Sequence, residues 1–112
     1  MNPVTIRSLQ AYKSQQQTFA VITAYDATLA QLAADAGIEA LLVGDSLGMV
    51  LQGQDSTLPV TLADMVYHTR CVANGNRRAQ RPALIMTDLP FMSYGTLEQG
   101  LASAREVMQA GA

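Results

Sequence analysis

Short apolar runs alternate along this chain with stretches of helical period. Three of the runs are continuous, which is typical of strands buried on both faces of a parallel sheet. These predicted strands are Phe19 to Ala24, Ala40 to Val43 and Ala83 to Thr87. A helical pattern follows each strand, and a short helix from Thr5 to Tyr12 is predicted before the first. The order α-(βα)₃ predicts an α/β fold with right-handed crossovers and a parallel sheet.

The three later helices each carry an apolar stripe at the spacing of one helical face, the face that a helix normally buries. The stripes are Leu29, Leu32, Ala33 and Ala36; Leu62, Met65, Val66 and Thr69; and Leu97, Leu101, Ala104 and Met108. Two of these helices also begin with the outline of a capping box. The pairs are Thr61 with Asp64 and Thr96 with Gln99.

Length and composition place the chain among globular proteins and restrict its partners. It has 112 residues, 49% hydrophobic and 14% charged, enough for one small domain. A net charge of -2 gives no electrostatic footprint for nucleic acid, and the cluster of Arg77, Arg78 and Arg81 is interpreted as solvated surface. Cys71 is the single cysteine, which fits a reducing compartment. Neither a signal peptide nor a membrane span is recognisable, so we expect a cytoplasmic protein that binds no membrane.

A three-stranded parallel sheet is small, and the chain ends where a helix C-cap should lead into a fourth strand. Gly111 and Ala112 occupy that position. We therefore expect residues 1–112 to be the first part of a larger fold, truncated before a fourth strand.

Aspartates follow all three predicted strands, at the sheet edge where parallel α/β folds bind ligands. Asp26 directly precedes a helix, so an N-cap is its expected role. Asp45 leads into a segment without helical period and Asp88 precedes Leu89-Pro90, so neither is explained as a cap. Oxygen ligands on adjacent strands suit Mg²⁺, whereas one histidine and one cysteine cannot build a zinc site.

Two further residues near these strand ends are open to more than one interpretation. Ser46 follows Asp45 and could close a turn or hold a substrate carboxylate or a metal-bound oxygen. His68 falls within a predicted helix, away from the strand ends, and is interpreted as a surface or structural residue. Gly44 and Gly48 do not form a dinucleotide fingerprint, since no helix is predicted to open after the first glycine.

Several motifs together resemble the ketopantoate hydroxymethyltransferase family. They are "TAYD" at 23 to 26, "VGDSLGMVLQGQDSTLPVT" at 43 to 61, "YHT" at 67 to 69 and "TDLPFMSY" at 87 to 94. The resemblance covers essentially the whole chain, from "TIRSLQAYK" to "VMQAGA". It implies a (β/α)₈ TIM barrel, of which residues 1–112 would be the N-terminal helix and the first three βα units.

The resemblance also implies an activity and a site. The implied reaction of pantothenate biosynthesis transfers a hydroxymethyl group from 5,10-methylenetetrahydrofolate to 3-methyl-2-oxobutanoate, giving 2-dehydropantoate. The positions matching Asp45 and Asp88 would bind Mg²⁺ and, through it, the 2-oxo acid, and Ser46 would bind the substrate carboxylate. A cytoplasmic homo-oligomer, a decamer, is implied as well.

The family pattern places a substrate-binding lysine, a metal-associated glutamate and a glutamate base beyond residue 112. No catalytic residue is therefore assigned within this chain, which is expected to be inactive alone. One alternative is another barrel enzyme of the isocitrate lyase type, which would stabilise a 2-oxo acid enolate on Mg²⁺ without folate. A second is a non-catalytic module that needs a partner at its open third-strand edge.

Overall fold

The computed structural model describes residues 2–112 as three strands and five helices. The strands are β1 (Val21–Thr23), β2 (Ala40–Val43) and β3 (Leu84–Thr87). The helices are α1 (Ile6–Ser14), α2 (Ala27–Asp35), α3 (Leu47–Val50), α4 (Leu62–Asn76) and α5 (Leu97–Ala110). Among these described residues, no helix combines the length and the apolar character needed to cross a membrane.

The strands form one parallel sheet in the order β1-β2-β3, as the alternation of strands and helices predicts. Strand β2 has the predicted bounds, whereas β1 and β3 are shorter than predicted. Backbone hydrogen bonds nevertheless continue on both sides of β1. The Ala24 N–H donates to the Leu42 carbonyl at 3.1 Å, and the Ala40 N–H donates to the Ala20 carbonyl at 3.3 Å. The predicted extended segment is therefore present around the shorter ladder.

The core lies between β2 and the helices on one face of the sheet. Leu41 and Val43 of β2 are fully buried, together with Met65 and Val72 of α4. The prediction of three buried strands is correct for β2 alone. The residues of β1 are exposed and those of β3 are half-buried, because each of these strands has a neighbour on one side only among the described residues.

The large residues of two predicted apolar stripes do not face this core, although Ala33 of the α2 stripe packs against it. In α2 the buried residues are Ala30 and Ala34, and in α5 they are Ser103, Val107 and Ala110. The large stripe residues are exposed: Leu29, Leu32, Leu97, Leu101 and Met108. Periodicity identified the apolar face of each helix without indicating which neighbour covers it. The α4 stripe is placed as predicted, with Met65 and Thr69 buried.

The N-terminus of α4 carries the predicted capping box. The Thr61 hydroxyl accepts from the Asp64 N–H at 3.1 Å, and the Asp64 carboxylate accepts from the Thr61 N–H at 3.0 Å. At α5 only half of the predicted box forms. Thr96 accepts from the Gln99 N–H, but the Gln99 side chain accepts from the Gly95 N–H instead of the Thr96 N–H.

The capping box makes the stability of α4 dependent on pH. The Thr61 backbone N–H and then the Gln52 side chain hydrogen-bond to the ionised Asp64 carboxylate and lower its pKa. The folded state thus favours the ionised form, and we expect this stabilisation to be present above the unfolded pKa and lost as the pH falls through the lowered folded pKa. NMR titration should give an Asp64 midpoint below the usual value for an unstructured aspartate, and Asp64→Asn should abolish this pH dependence of stability. A midpoint at or above that value would contradict this interpretation.

Candidate functional site

The carboxylates predicted to converge come from adjacent strand ends. Asp45 follows β2 after Gly44, and Asp88 directly follows β3. The Asp45 backbone N–H donates to the Asp88 Oδ2 at 3.0 Å, and both residues are half-buried. The Asp88 N–H in turn donates to the Val43 carbonyl at 3.0 Å, which extends the β2–β3 ladder to the site. The two residues therefore lie together at the carboxyl edge of the sheet.

Gly44 leaves a small space beside these groups. A Cβ at this position would lie 3.4 Å from the Asp88 Oδ2 and 3.5 Å from the Ser46 Oγ. The Asp88 carboxylate and the Ser46 hydroxyl thus both lie within contact distance of the point that a side chain at Gly44 would occupy. Carboxylate and hydroxyl oxygens placed this close together can hold a hard cation and an anionic ligand.

The segment after Asp45 contains a helix that was not predicted. Leu47–Val50 form one helical turn, α3, where the sequence indicated an irregular loop. The prediction that no helix opens after Gly44 is therefore wrong, because a single turn is too short to show a helical period. Ser46 is the N-cap of α3, but its side chain makes no capping hydrogen bond. Its hydroxyl pairs instead with the Tyr25 phenol, at 2.8 Å between the two oxygens.

The segment after β1 contributes Tyr25 to the site, whereas its aspartate, Asp26, lies at the N-terminus of α2. Asp26 caps α2, as expected, by accepting from the Leu29 N–H at 2.7 Å. Across residues 2–112, no cluster brings together three or more carboxyl, imidazole or thiol side chains suited to a metal ion. Tyr25 was not predicted as a site residue. Its position immediately before Asp26, at the carboxyl end of β1, is the signal that could have found it.

His68 lies closer to the strand ends than predicted. Its Nδ1 is 2.8 Å from the backbone carbonyl oxygen of Tyr25, and the two rings meet edge to face with centroids 6.4 Å apart. The structural role assigned to His68 fits this contact, whereas the expectation that it lies away from the strand ends is wrong. This contact links α4 to the segment that follows β1.

These features define a class of protein: a parallel α/β fold that presents carboxylates and a hydroxyl at the carboxyl ends of adjacent strands. The solved structure of 2,3-dimethylmalate lyase, a member of the PEP mutase/isocitrate lyase superfamily, has a similar fold. The two align with a TM-score of 0.66 and 22% sequence identity, over 95% of this chain and 36% of that chain.

Sequence comparison identifies the family. The model of the ketopantoate hydroxymethyltransferases matches residues 3–112, and the chain belongs to that family. A 3-methyl-2-oxobutanoate hydroxymethyltransferase of Marinobacter nauticus is 58% identical over 109 residues, covering 97% of this chain and 40% of the relative. A protein of the same name from Erwinia tasmaniensis is 58% identical over 112 residues, covering 100% of this chain and 41% of the relative. The chain thus spans about two fifths of the length of these relatives.

Proposed function

We propose that this chain forms the metal- and substrate-binding end of a hydroxymethyltransferase of pantothenate biosynthesis. The enzyme would transfer a hydroxymethyl group from 5,10-methylenetetrahydrofolate to 3-methyl-2-oxobutanoate and release 2-dehydropantoate. The observation that carries this proposal is the hydrogen bond from the Asp45 N–H to the Asp88 carboxylate, beside Ser46. Membership of the family supports the choice of reaction.

The residues at the strand ends fit Mg²⁺. Asp45 and Asp88 offer carboxylate oxygens, the donors that this ion prefers, and a site with one or two protein carboxylates leaves positions for water and substrate. The Asp88 Oδ2 accepts a hydrogen bond from the Asp45 N–H, and this bond fixes the orientation of the carboxylate. We propose that these two aspartates hold the ion. When bound, Mg²⁺ would act as a Lewis acid that polarises the keto group of the 2-oxo acid.

The other residues of the site would bind and orient the acid. The Ser46 hydroxyl would donate a hydrogen bond to the substrate carboxylate, and Gly44 would leave room for the acid beside Asp88. Fixing the acid in this way would direct its C3–H bond towards the base. The reaction removes that proton, forms a bond from C3 to the one-carbon unit and breaks both C–N bonds that join this unit to N5 and N10 of the folate. The two nitrogens take up one proton in place of the C3 proton and one from water. Water supplies the hydroxyl oxygen, and tetrahydrofolate leaves.

The family resemblance also supports two proposals about the chain as a whole. The base, the lysine and the further glutamate would come from sequence outside residues 1–112, so we propose that these residues alone do not turn over substrate. We also propose a homo-oligomer, decameric as in the family pattern, which sedimentation equilibrium of a protein of the relatives' length would test.

A chimera provides the test of the reaction. Residues 1–112 would replace the matched segment of the Erwinia tasmaniensis relative, to which they align over their whole length. This chimera should make 2-dehydropantoate from 3-methyl-2-oxobutanoate when Mg²⁺ and 5,10-methylenetetrahydrofolate are both supplied. The unfused chain should make none. A folded chimera without product would contradict the proposal.

The alternative activity is C–C bond cleavage of the isocitrate lyase type. It is retained because the fold of 2,3-dimethylmalate lyase is similar. Omitting the folate separates the two. Hydroxymethyl transfer stops without it, whereas a lyase would continue to release a 2-oxo acid or a related product from a longer substrate.

A further inference from the structure

The hydroxyl of Ser46 is engaged by Tyr25 and not by the helix that Ser46 begins. An N-cap serine usually accepts from a backbone N–H of the first turn, but Ser46 makes no such bond. Its oxygen lies 2.8 Å from the Tyr25 phenol oxygen, which comes from a different strand end. The Ser46 hydroxyl is therefore held by a side chain from another element and not by the backbone of its own helix turn.

We propose that Tyr25 is a positioning residue for substrate binding, which acts through Ser46. The Tyr25 O–H donates to the Ser46 Oγ, so that the Ser46 O–H is directed at the carboxylate of the 2-oxo acid. This inference rests on the proposed function and adds to it a residue that never contacts the substrate. In this arrangement each hydroxyl donates towards the substrate: Tyr25 donates to Ser46, and Ser46 donates to the carboxylate.

An anionic ligand determines that direction. Either hydroxyl could donate to the other, since each has one proton and two lone pairs. If Ser46 donated to Tyr25, only lone pairs of Ser46 would face the substrate carboxylate, which would repel it. If Tyr25 donates, the Ser46 proton is free for the carboxylate. The phenol is also the more acidic hydroxyl, and consecutive hydrogen bonds polarise one another.

The backbone and ring of Tyr25 are fixed by their surroundings. The backbone carbonyl accepts a hydrogen bond from His68 at 2.8 Å, which requires the imidazole proton on Nδ1, because a carbonyl can only accept. The ring packs against the buried core cluster. The next residue, Asp26, is fixed as the cap of α2. Tyr25 therefore presents its phenol from a rigid base, as positioning requires.

The test is a double-mutant cycle in the chimera with Tyr25→Phe, Ser46→Ala and the double variant. Tyr25→Phe should raise the KM for 3-methyl-2-oxobutanoate about tenfold, the size expected for weakening one hydrogen bond to a charged group. The KM for the folate and the Mg²⁺ requirement should stay unchanged. In the Ser46→Ala background, Tyr25→Phe should change the KM for the acid by less than about twofold.

The controls separate this role from a structural one. Tyr12→Phe removes a phenol oxygen from a half-buried tyrosine that pairs with Phe19 in another part of the fold, and it should leave all three constants unchanged. If Tyr25→Phe does not fold, His68→Ala takes its place in the cycle. It frees the Tyr25 carbonyl and should raise the KM for the acid only while Ser46 is present.

Independent, multiplicative effects of Tyr25→Phe and Ser46→Ala would overturn the inference, and so would a Tyr25→Phe variant with an unchanged KM for the acid. A parallel rise in both substrate constants would indicate a structural role and would overturn it too. All of these outcomes require an active chimera, whereas loss of all product in the unmodified chimera counts against the proposed function instead.

Discussion

Asp88→Asn is expected to lower the kcat/KM of the chimera for 3-methyl-2-oxobutanoate by at least about 100-fold and to raise the Mg²⁺ concentration that it requires. Asparagine keeps an oxygen that can accept from the Asp45 N–H, at the site of the 3.0 Å bond in the structure. The substitution therefore preserves the contact between the strand ends and removes the negative charge. Steady-state rates measured across a Mg²⁺ titration would check this expectation.

A matched control lies at the end of β1. Asp26→Asn also neutralises a strand-end aspartate, but Asp26 caps α2, and asparagine is an equally good N-cap. Asp26→Asn should therefore keep the rate and the Mg²⁺ requirement of the unmodified chimera. If Asp88→Asn were as active as Asp26→Asn, the proposed metal-binding role of Asp88 would be wrong.

Gly75→Ala is expected to destabilise the protein by about 3 kcal/mol, because it forces a methyl group into a close helix contact. Gly75 is buried in α4, where the helix crosses the start of α2. A Cβ there would lie 2.6 Å from the Ala27 Cα and would overlap the Ala27 carbonyl. Since Ala27 is two residues after Tyr25, any backbone shift should also disturb the Tyr25–Ser46 contact. Urea unfolding would measure the loss.

Gly100→Ala is the comparison for this substitution. Gly100 lies in α5, and a Cβ there would be 3.5 Å from the Tyr94 Cβ, an ordinary contact distance. Alanine is the better helix former by up to about 1 kcal/mol, so Gly100→Ala should be neutral or stabilising. Equal destabilisation by both variants would contradict this account, because Gly100→Ala introduces no close contact that could cause it.

The sequence predicted the parts of the fold whose determinants are local. Strand β2 is a continuous apolar run and is the central strand, with β1 on one side and β3 on the other. Its bounds and burial therefore agree with the pattern. The capping box of α4 depends on residues three apart and formed as predicted. Burial of β1 and the facing of the α2 and α5 stripes depend on neighbours distant in sequence. Periodicity carries no information about those neighbours.

The site shows the same division. That Asp45 and Asp88 come together follows from parallel strand order, which the alternation of elements already indicated. The contact between Tyr25 and Ser46 joins residues 21 apart through side chains of different elements. No spacing rule predicts such a contact. His68 was misplaced for a related reason, because its contact with the Tyr25 carbonyl depends on how α4 packs against α2, including the close approach at Gly75.

Isothermal titration of the chimera with 3-methyl-2-oxobutanoate, with Mg²⁺ and after its removal by a chelator, tests the central claim most directly. If Asp45 and Asp88 hold the ion that binds the acid, binding should require Mg²⁺ and disappear in the Asp45→Asn, Asp88→Asn double variant. Equally tight binding without Mg²⁺, or undiminished Mg²⁺-dependent binding by the double variant, would contradict it.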